Sequence, residues 1–235
     1  MAISSNTLFH FTKNLDTIKL ILNDGYFWPI YCVEYDKGAD DNGEYDALPM
    51  VCFCDIPLSQ IREHTDDYGK YGIGINKQRG KEKISPVAYY NHKTAIMRSL
   101  YDRVATSIKE RDKILWLSLL KRYYGGTWSV SKSKYYNKVL YNEREWRYIP
   151  KTLKEIDLYR KVKDIDSFDA KKESEHLRKH GLKFTKEDIK YILVENDEKK
   201  DELIEYLDNH PTFKTDFKTH LKGCILTLKQ IKEDF

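Results

Sequence analysis

No stretch of the 235-residue chain reaches the roughly 18 consecutive apolar residues that a membrane-spanning helix requires. The opening MAISSNTLFHF has no basic segment followed by an apolar one, so the secretory signature is missing as well. Both observations predict a cytoplasmic protein without membrane contact. Cysteine is scarce: Cys32, Cys52, Cys54 and Cys224 are too few and too scattered for a disulfide framework, and they read as reduced thiols. Neither a G-x-x-x-x-G-K-[ST] loop nor a G-x-G-x-x-G turn occurs, and H-E-x-x-H and G-x-S-x-G are missing too. Kinases, P-loop enzymes, zincins and serine hydrolases are thereby disfavoured. Neither sign of charge dominates: 41 basic and 37 acidic residues leave a formal +4, too mild and too mixed to indicate nucleic acid by itself.

Charge and tyrosine are what the chain has in quantity. Charged residues make up 33% and apolar residues 40%, enough for a core beneath a densely charged surface. The 18 tyrosines suit half-buried positions at the rim of a sheet or cleft. The length favours one elaborated domain over residues 1–235.

TLFHFT at residues 7–12 has strand character, and a helix follows with Leu15, Ile18 and Leu22 on one face and Asn23-Asp24-Gly25 as its stop. Residues 26–48 carry turn formers and little periodicity, which predicts a surface loop. PMVCFC (49–54) reads as a buried strand, Asp55-Ile56-Pro57 as the start of a helix ending near Gly69, and YGIGINK as a strand whose glycine side admits a backbone or ligand. SPVAYY (85–90) is a further strand. The period predicts a helix from Lys93 to Tyr124, a loop over 127–138, and a strand in VLYNEREWRYIP that points Glu143 and Glu145 to one face. Residues 151–182 read as a charged peripheral insertion with a surface helix near 168–179. IKYILVEN is a strand, NDEKKDELIEYLDNH a helix and GCILTL a last strand, after which Thr227 and Gln230 have capping-box spacing. The early and late strand groups predict an α+β fold with a mixed or antiparallel sheet and flanking helices.

Three constellations bear on chemistry. Cys52 and Cys54 share a strand face near His10 or His64, but C-x-C spacing without a second cysteine pair favours a core role and no metal. His10 and Thr12 on the first strand, Tyr71 on the glycine strand, and Glu143 with Glu145 form a second set. Cleaving an N-glycosidic bond, as in NAD, builds positive charge on the ribose; Glu145 would stabilise it, with Glu143 as helper and His10 holding NAD. The competing account makes His10 a hydrogen-bonded core histidine and pairs both glutamates with Arg144, Arg147 or nearby lysines on a solvated face. Arg62, His64, Lys70, Lys132, Lys134 and Lys138, with Tyr135 and Tyr136 as stacking rings, could form an RNA-binding surface or an ordinary solvated one.

LFHFT, ILNDGYFWP, PMVCFCDIPLSQIREHTDDYGKYGIGINK and SPVAYY, with the late YNEREWRYIP and DIKYILVEN, resemble the AbiGi family, the antitoxin side of a two-component abortive phage-resistance system. The resemblance implies a phage-defence role and a cognate toxin as protein partner. More distantly, the layout is similar to ADP-ribosyltransferase-like domains. That similarity implies NAD as cofactor, with His10 and Glu143 or Glu145 at matching positions. The second-strand position falls on Phe53 or Cys54, where a hydroxyl is expected.

Overall fold

The computed structural model describes residues 5–35, 40–97, 99, 102, 103, 110–129, 132–154 and 157–234. TLFHFT forms β1 (Thr7–Thr12), and Asn14 caps α1 (Leu15–Asp24) by accepting the Thr17 N–H, leaving Leu15, Ile18, Ile21 and Leu22 as the buried face. Gly25 ends α1 at φ 71°, a left-handed turn that glycine adopts at little cost. The expected loop over 26–48 instead contains β2 (Tyr26–Phe27), β3 (Ile30–Val33) and the first part of β4 (Tyr45–Cys54). Aromatic and β-branched residues there have strand preference that the neighbouring turn formers mask; residues 36–39 lie outside the described ones.

After β4 come α2 (Arg62–Tyr68), ending at Gly69, then β5 (Tyr71–Asn76), α3 (Lys77–Gly80), β6 (Ser85–Pro86) and β7 (Ala88–Tyr90). The helix predicted over 93–124 is corrected at its end. Residues 95–97, 99, 102 and 103 are helical and α4 spans Glu110–Leu117, with 98, 100, 101 and 104–109 outside the described residues. The chain then turns into β8 (Leu120–Arg122), which lies parallel to β7, and into β9 (Tyr124–Ser129). The predicted loop over 127–138 is a hairpin, β9 against β10 (Lys134–Val139).

Only part of VLYNEREWRYIP is strand. Glu143 ends a 3-10 turn (Leu140–Glu143), and β11 (Glu145–Tyr148) begins two residues later. Between them Arg144 sits in the left-handed region at φ 44°, which costs a non-glycine residue about 1 kcal/mol.

Residues 151–182 supply β12 (Arg160–Val162), α5 (Ala170–Glu173) and a 3-10 turn (Glu175–His180). β12 pairs with β4, and Leu153, Leu158, Val162 and Leu177 join Tyr31, Leu48 and Met50 in one buried cluster. β13 (Leu182–Lys183) pairs with β2, followed by β14 (Ile189–Val194), α6 (Asp197–Asn209), α7 (Thr215–Gly223), β15 (Ile225–Thr227) and α8 (Leu228–Asp234). The capping box closes as its spacing predicts: the Gln230 N–H donates to Thr227 Oγ1 at 3.1 Å while Gln230 Oε1 accepts the Thr227 N–H at 3.0 Å. No helix among the described residues is long and apolar enough to cross a membrane.

The main sheet runs β15-β14-β5-β1-β4-β11-β6, with β3 and β12 also pairing with β4. It is mixed, β14–β15 being parallel and β1–β5, β4–β11 and β5–β14 antiparallel. Alternation along the strands divides the core. Leu8, Ile73 and Ile192 pack with residues of α1, α6 and α7 on one face; Phe9, Cys54 and Leu193 pack with Ile61, Leu228 and Ile231 on the other. The glycines of β5 serve the sheet rather than a ligand, because a Cβ on Gly74 would lie 2.7 Å from Phe9 Cε1 and 2.8 Å from Thr7 Cγ2.

Candidate functional site

β1 and β4 pair at a single position, Phe9 with Cys54. From there β4 diverges, and Val51, Cys52 and Phe53 find a strand neighbour in β11. The His10 side chain occupies the opening, with Nδ1 2.8 Å from the Cys52 carbonyl oxygen. A carbonyl only accepts, so Nδ1 carries the hydrogen and Nε2 is the acceptor of the neutral ring. Burial pushes the His10 pKa down and the Cys52 bond opposes it only in part, so the ring is neutral at pH 7.

This divergence opens a cavity of about 470 Å³ lined by residues of β1, α1, β3, β4, α2 and the late strands. Its size falls in the roughly 300–1,000 Å³ range of small-molecule sites. Phe9, Cys54 and Glu145 stand in register across β1, β4 and β11 and share one face of the sheet; His10, one residue on, starts on the other. Because the strands part beside Phe9, His10 and Glu145 nevertheless line the same cavity.

Glu143 and Glu145 belong to a buried ionic network. Lys121 Nζ lies 2.6 Å from Glu143 Oε2 and 2.7 Å from Glu145 Oε2. Arg147 Nε donates to Glu145 Oε1 at 2.7 Å, while its Nη2 is 3.0 Å from Glu34 Oε1 and its Nη1 donates to the Ser118 carbonyl at 2.6 Å. Lys138 Nζ joins Asp67 at 2.7 Å to Glu143 at 3.0 Å, and the Tyr68 hydroxyl donates to Glu143. Tyr89 fixes the backbone by accepting the Glu145 N–H at 2.8 Å. Four carboxylates thus face three cationic side chains, a formal excess of one negative charge.

Burial raises the Glu145 carboxyl, but Arg147 and Lys121 outweigh it and hold the group below the usual carboxylate range. Glu143 behaves likewise: burial pushes up, and Lys121 with Lys138 prevails downward. Both are ionised at neutral pH, so they present fixed negative charge and are poor proton acceptors. His64, behind them against Tyr68 and Phe11, is pushed by burial down to about 4, with Glu143 opposing.

Of the expected NAD residues, His10, Phe53, Glu143 and Glu145 line the cavity. Thr12 and Tyr71 are not among its lining residues; they face each other across β1–β5, and Tyr71 packs into the main core. On this geometry the cavity fits NAD in part. It has the carboxylates and the histidine, but Phe53 and Cys54 stand where a hydroxyl is expected. Burial pushes the Cys54 thiol up, and contact with Cys32 is the main cause of the rise at Cys52.

The basic surface drawn from Arg62, His64, Lys70, Lys132, Lys134 and Lys138 is corrected. His64 is buried, Lys138 points into the ionic network, Lys70 pairs with Glu195, and the Tyr136 hydroxyl donates to Asp67. These side chains do not gather on one solvated face.

No local signal in the sequence marks Lys121, Glu34 or Asp67 as members of the network. Arg147 is expected from the sequence as a partner for the glutamates on a solvated strand; it is the partner, but it is only 2% exposed. The i, i+2 spacing of Glu145 and Arg147 was the available signal.

A family model described as "Putative abortive phage resistance protein AbiGi, antitoxin" matches residues 26–195, which contain every charged residue of the network. The chain is 28% identical over 242 positions to the abortive phage resistance protein AbiGi of Lactococcus lactis subsp. cremoris, a match covering 86% of this chain and 96% of that protein. No solved structure matches. With the family model spanning well over half of its length, the chain belongs to the AbiGi family.

Proposed function

We propose that this chain is the antitoxin of an abortive phage-resistance pair and acts in the cytoplasm by holding its cognate toxin in a protein complex. Family membership supports the antitoxin role. The observation that carries the interaction mechanism is a group of exposed aromatic side chains. Tyr123 (47% exposed) and Tyr141 (43%) stack at 5.8 Å, Tyr124 (48%) is the first residue of the β9–β10 hairpin, and the Arg144 guanidinium lies 5.5 Å from the Tyr141 ring centre. Tyrosine and arginine dominate interface hot spots because they bury large area at modest entropic cost. In a titration of labelled toxin, the Tyr123→Ala/Tyr141→Ala double variant is expected to bind at least about 10-fold more weakly, the ~1.4 kcal/mol scale of one hot-spot contact. Unchanged affinity would remove this surface from the account.

A second reading is an ADP-ribosyltransferase-like enzyme that cleaves NAD. It is favoured by one observation, that Glu145 and His10 line a common cavity. NAD supplies the glycosidic bond; Glu145, held ionised by Arg147 and Lys121, stabilises positive charge on the ribose, Glu143 assists, and His10 orients the ligand through Nε2. Nicotinamide release that vanishes in a folded Glu145→Gln variant would support it, and no release by wild type would reject it.

A further inference from the structure

We infer that the surface of the β7–β8 pair and the β9–β10 hairpin docks an acidic segment of the partner polypeptide. The inference rests on the complex proposed above and deepens it, by naming the charge that the partner presents and by widening the surface beyond Tyr123 and Tyr141.

Two stretches of the sequence carry the charge argument. None of the chain's 37 acidic residues falls within residues 83–101 or 113–142, although basic residues occur in both. The fold brings these stretches together. β7 pairs with β8, the Tyr123 N–H donates to the Tyr90 carbonyl at 2.7 Å, and Tyr89 meets Tyr141 edge-on at 5.4 Å. The β9–β10 hairpin continues directly from β8. The basic side chains of this unit divide into two groups. Lys121 and Lys138 turn inward to Glu143, Glu145 and Asp67, whereas Lys93, Lys132 and Lys134 are exposed and form no ion pair among the described residues. Arg144, just beyond the second stretch, packs on the Tyr141 ring and has no carboxylate partner among the described residues either. Carboxylates within reach neutralise Lys161 and Lys222 elsewhere on the surface. The acid-free stretches supply none, so the positive charge here is left for a partner.

Apolar exposure gathers in the same place. Among the described residues eight large apolar or aromatic side chains are exposed, and six of them, Ile96, Trp116, Tyr123, Tyr124, Tyr135 and Tyr141, lie within the two acid-free stretches. Exposed anchors beside uncompensated charge of one sign are what a docking surface presents. The anchors also choose between an acidic polypeptide and a nucleic acid. Ile96 has no ring on which a base can stack, and Tyr123 and Tyr141 spend ring faces on each other at an interplanar angle of 28°. Carboxylates need only tyrosine hydroxyls and cationic heads, while the apolar side chains beside them on a polypeptide pack against the rings.

The test is the association rate of the full chain with the polypeptide encoded beside it, measured by surface plasmon resonance at low and high salt. Wild type is compared with Lys93→Glu/Lys132→Glu/Lys134→Glu and with a control, Lys183→Glu/Lys190→Glu/Lys229→Glu, which makes the same change of net charge on exposed lysines outside both stretches. Each variant is first checked for an unchanged melting temperature. Wild-type association is expected to slow at least about 10-fold between ~0.05 M and ~0.5 M salt, a comparison that needs no variant. At low salt the first triple variant should associate at least about 10-fold more slowly than wild type, and the control within about 2-fold of it. Salt-independent association, or equal rates for wild type and the first variant, would overturn the inference and leave the complex standing. An equal loss in both variants would overturn it as well, since net charge alone would then account for the rate. Absence of any wild-type complex would overturn the complex and this inference together. A labelled mixed-sequence single-stranded RNA titrated in parallel should not bind; binding that the first variant loses would give the surface to nucleic acid and overturn the inference.

Discussion

Lys121 is shared by Glu143 and Glu145, its ammonium 2.6 Å from one carboxylate and 2.7 Å from the other. The lysine comes from β8, Glu143 from the 3-10 turn before β11 and Glu145 from β11 itself, so one side chain ties the β7–β8 pair to the main sheet. Replacing it by methionine keeps the apolar stem and removes the charge. Lys121→Met is expected to destabilise by about 3–5 kcal/mol, the cost of leaving buried charge uncompensated. A urea midpoint shifted by less than about 1 kcal/mol equivalent would show that solvent reaches the network.

Arg147 and Glu145 should differ in cost although they are bonded to each other. Arg147→Met leaves both Glu34 and Glu145 short of a cation, whereas Glu145→Gln leaves Arg147 paired with Glu34 and Lys121 paired with Glu143. Equilibrium unfolding is expected to rank Arg147→Met as the more damaging by about 1–2 kcal/mol. The reverse order would mean that Glu34 contributes little.

Acid should weaken the fold before the carboxylates titrate. His64 has a native pKa of about 4 against about 6.5 in the unfolded chain, so between those values only the unfolded chain gains the proton. Stability is full above pH 6.5 and falls as pH drops toward 4, by about 3 kcal/mol in all. Glu143 and Glu145, both depressed, add a further loss only below their unfolded value near 4.5. Urea midpoints between pH 8 and 4 should show the first decline, and His64→Phe should lessen it, leaving the part contributed by His10, whose pKa burial also lowers. A wild-type curve level down to pH 5 would contradict the burial of this ring.

Gly74→Ala tests the packing of β1 on β5. Its Cβ would meet the Phe9 ring and the Thr7 methyl, both in a packed region, and overpacking of this kind costs about 1–3 kcal/mol. A melting temperature unchanged from wild type would mean that Phe9 has room to move.

The sequence was most legible where one local signal decided the outcome. β1, α1, β5, β14 and the Thr227–Gln230 box follow from period, stop residues and cap spacing. It was least legible where pairing partners are distant. Tyr124 continues a helical period yet sits on β9, whose strand state depends on β10, and Leu120 does so on β8 beside β7. The same misreading hid Lys121, 24 positions from Glu145, and with it the reason that the glutamates are buried rather than solvated. The parting of β1 from β4 has no local signature, since it is set by how far two strands pair.

The most direct test of the antitoxin role is growth of a host in which the polypeptide encoded beside this chain is induced alone, with the wild-type chain, and with its Glu145→Gln variant. The account predicts arrest in the first case, rescue by wild type with a complex that survives gel filtration, and rescue by the folded Glu145→Gln variant as well, because Glu145 is buried and is not one of the exposed side chains of the interaction surface. Failure of wild type to rescue an arrested host, or rescue without any complex, would contradict it.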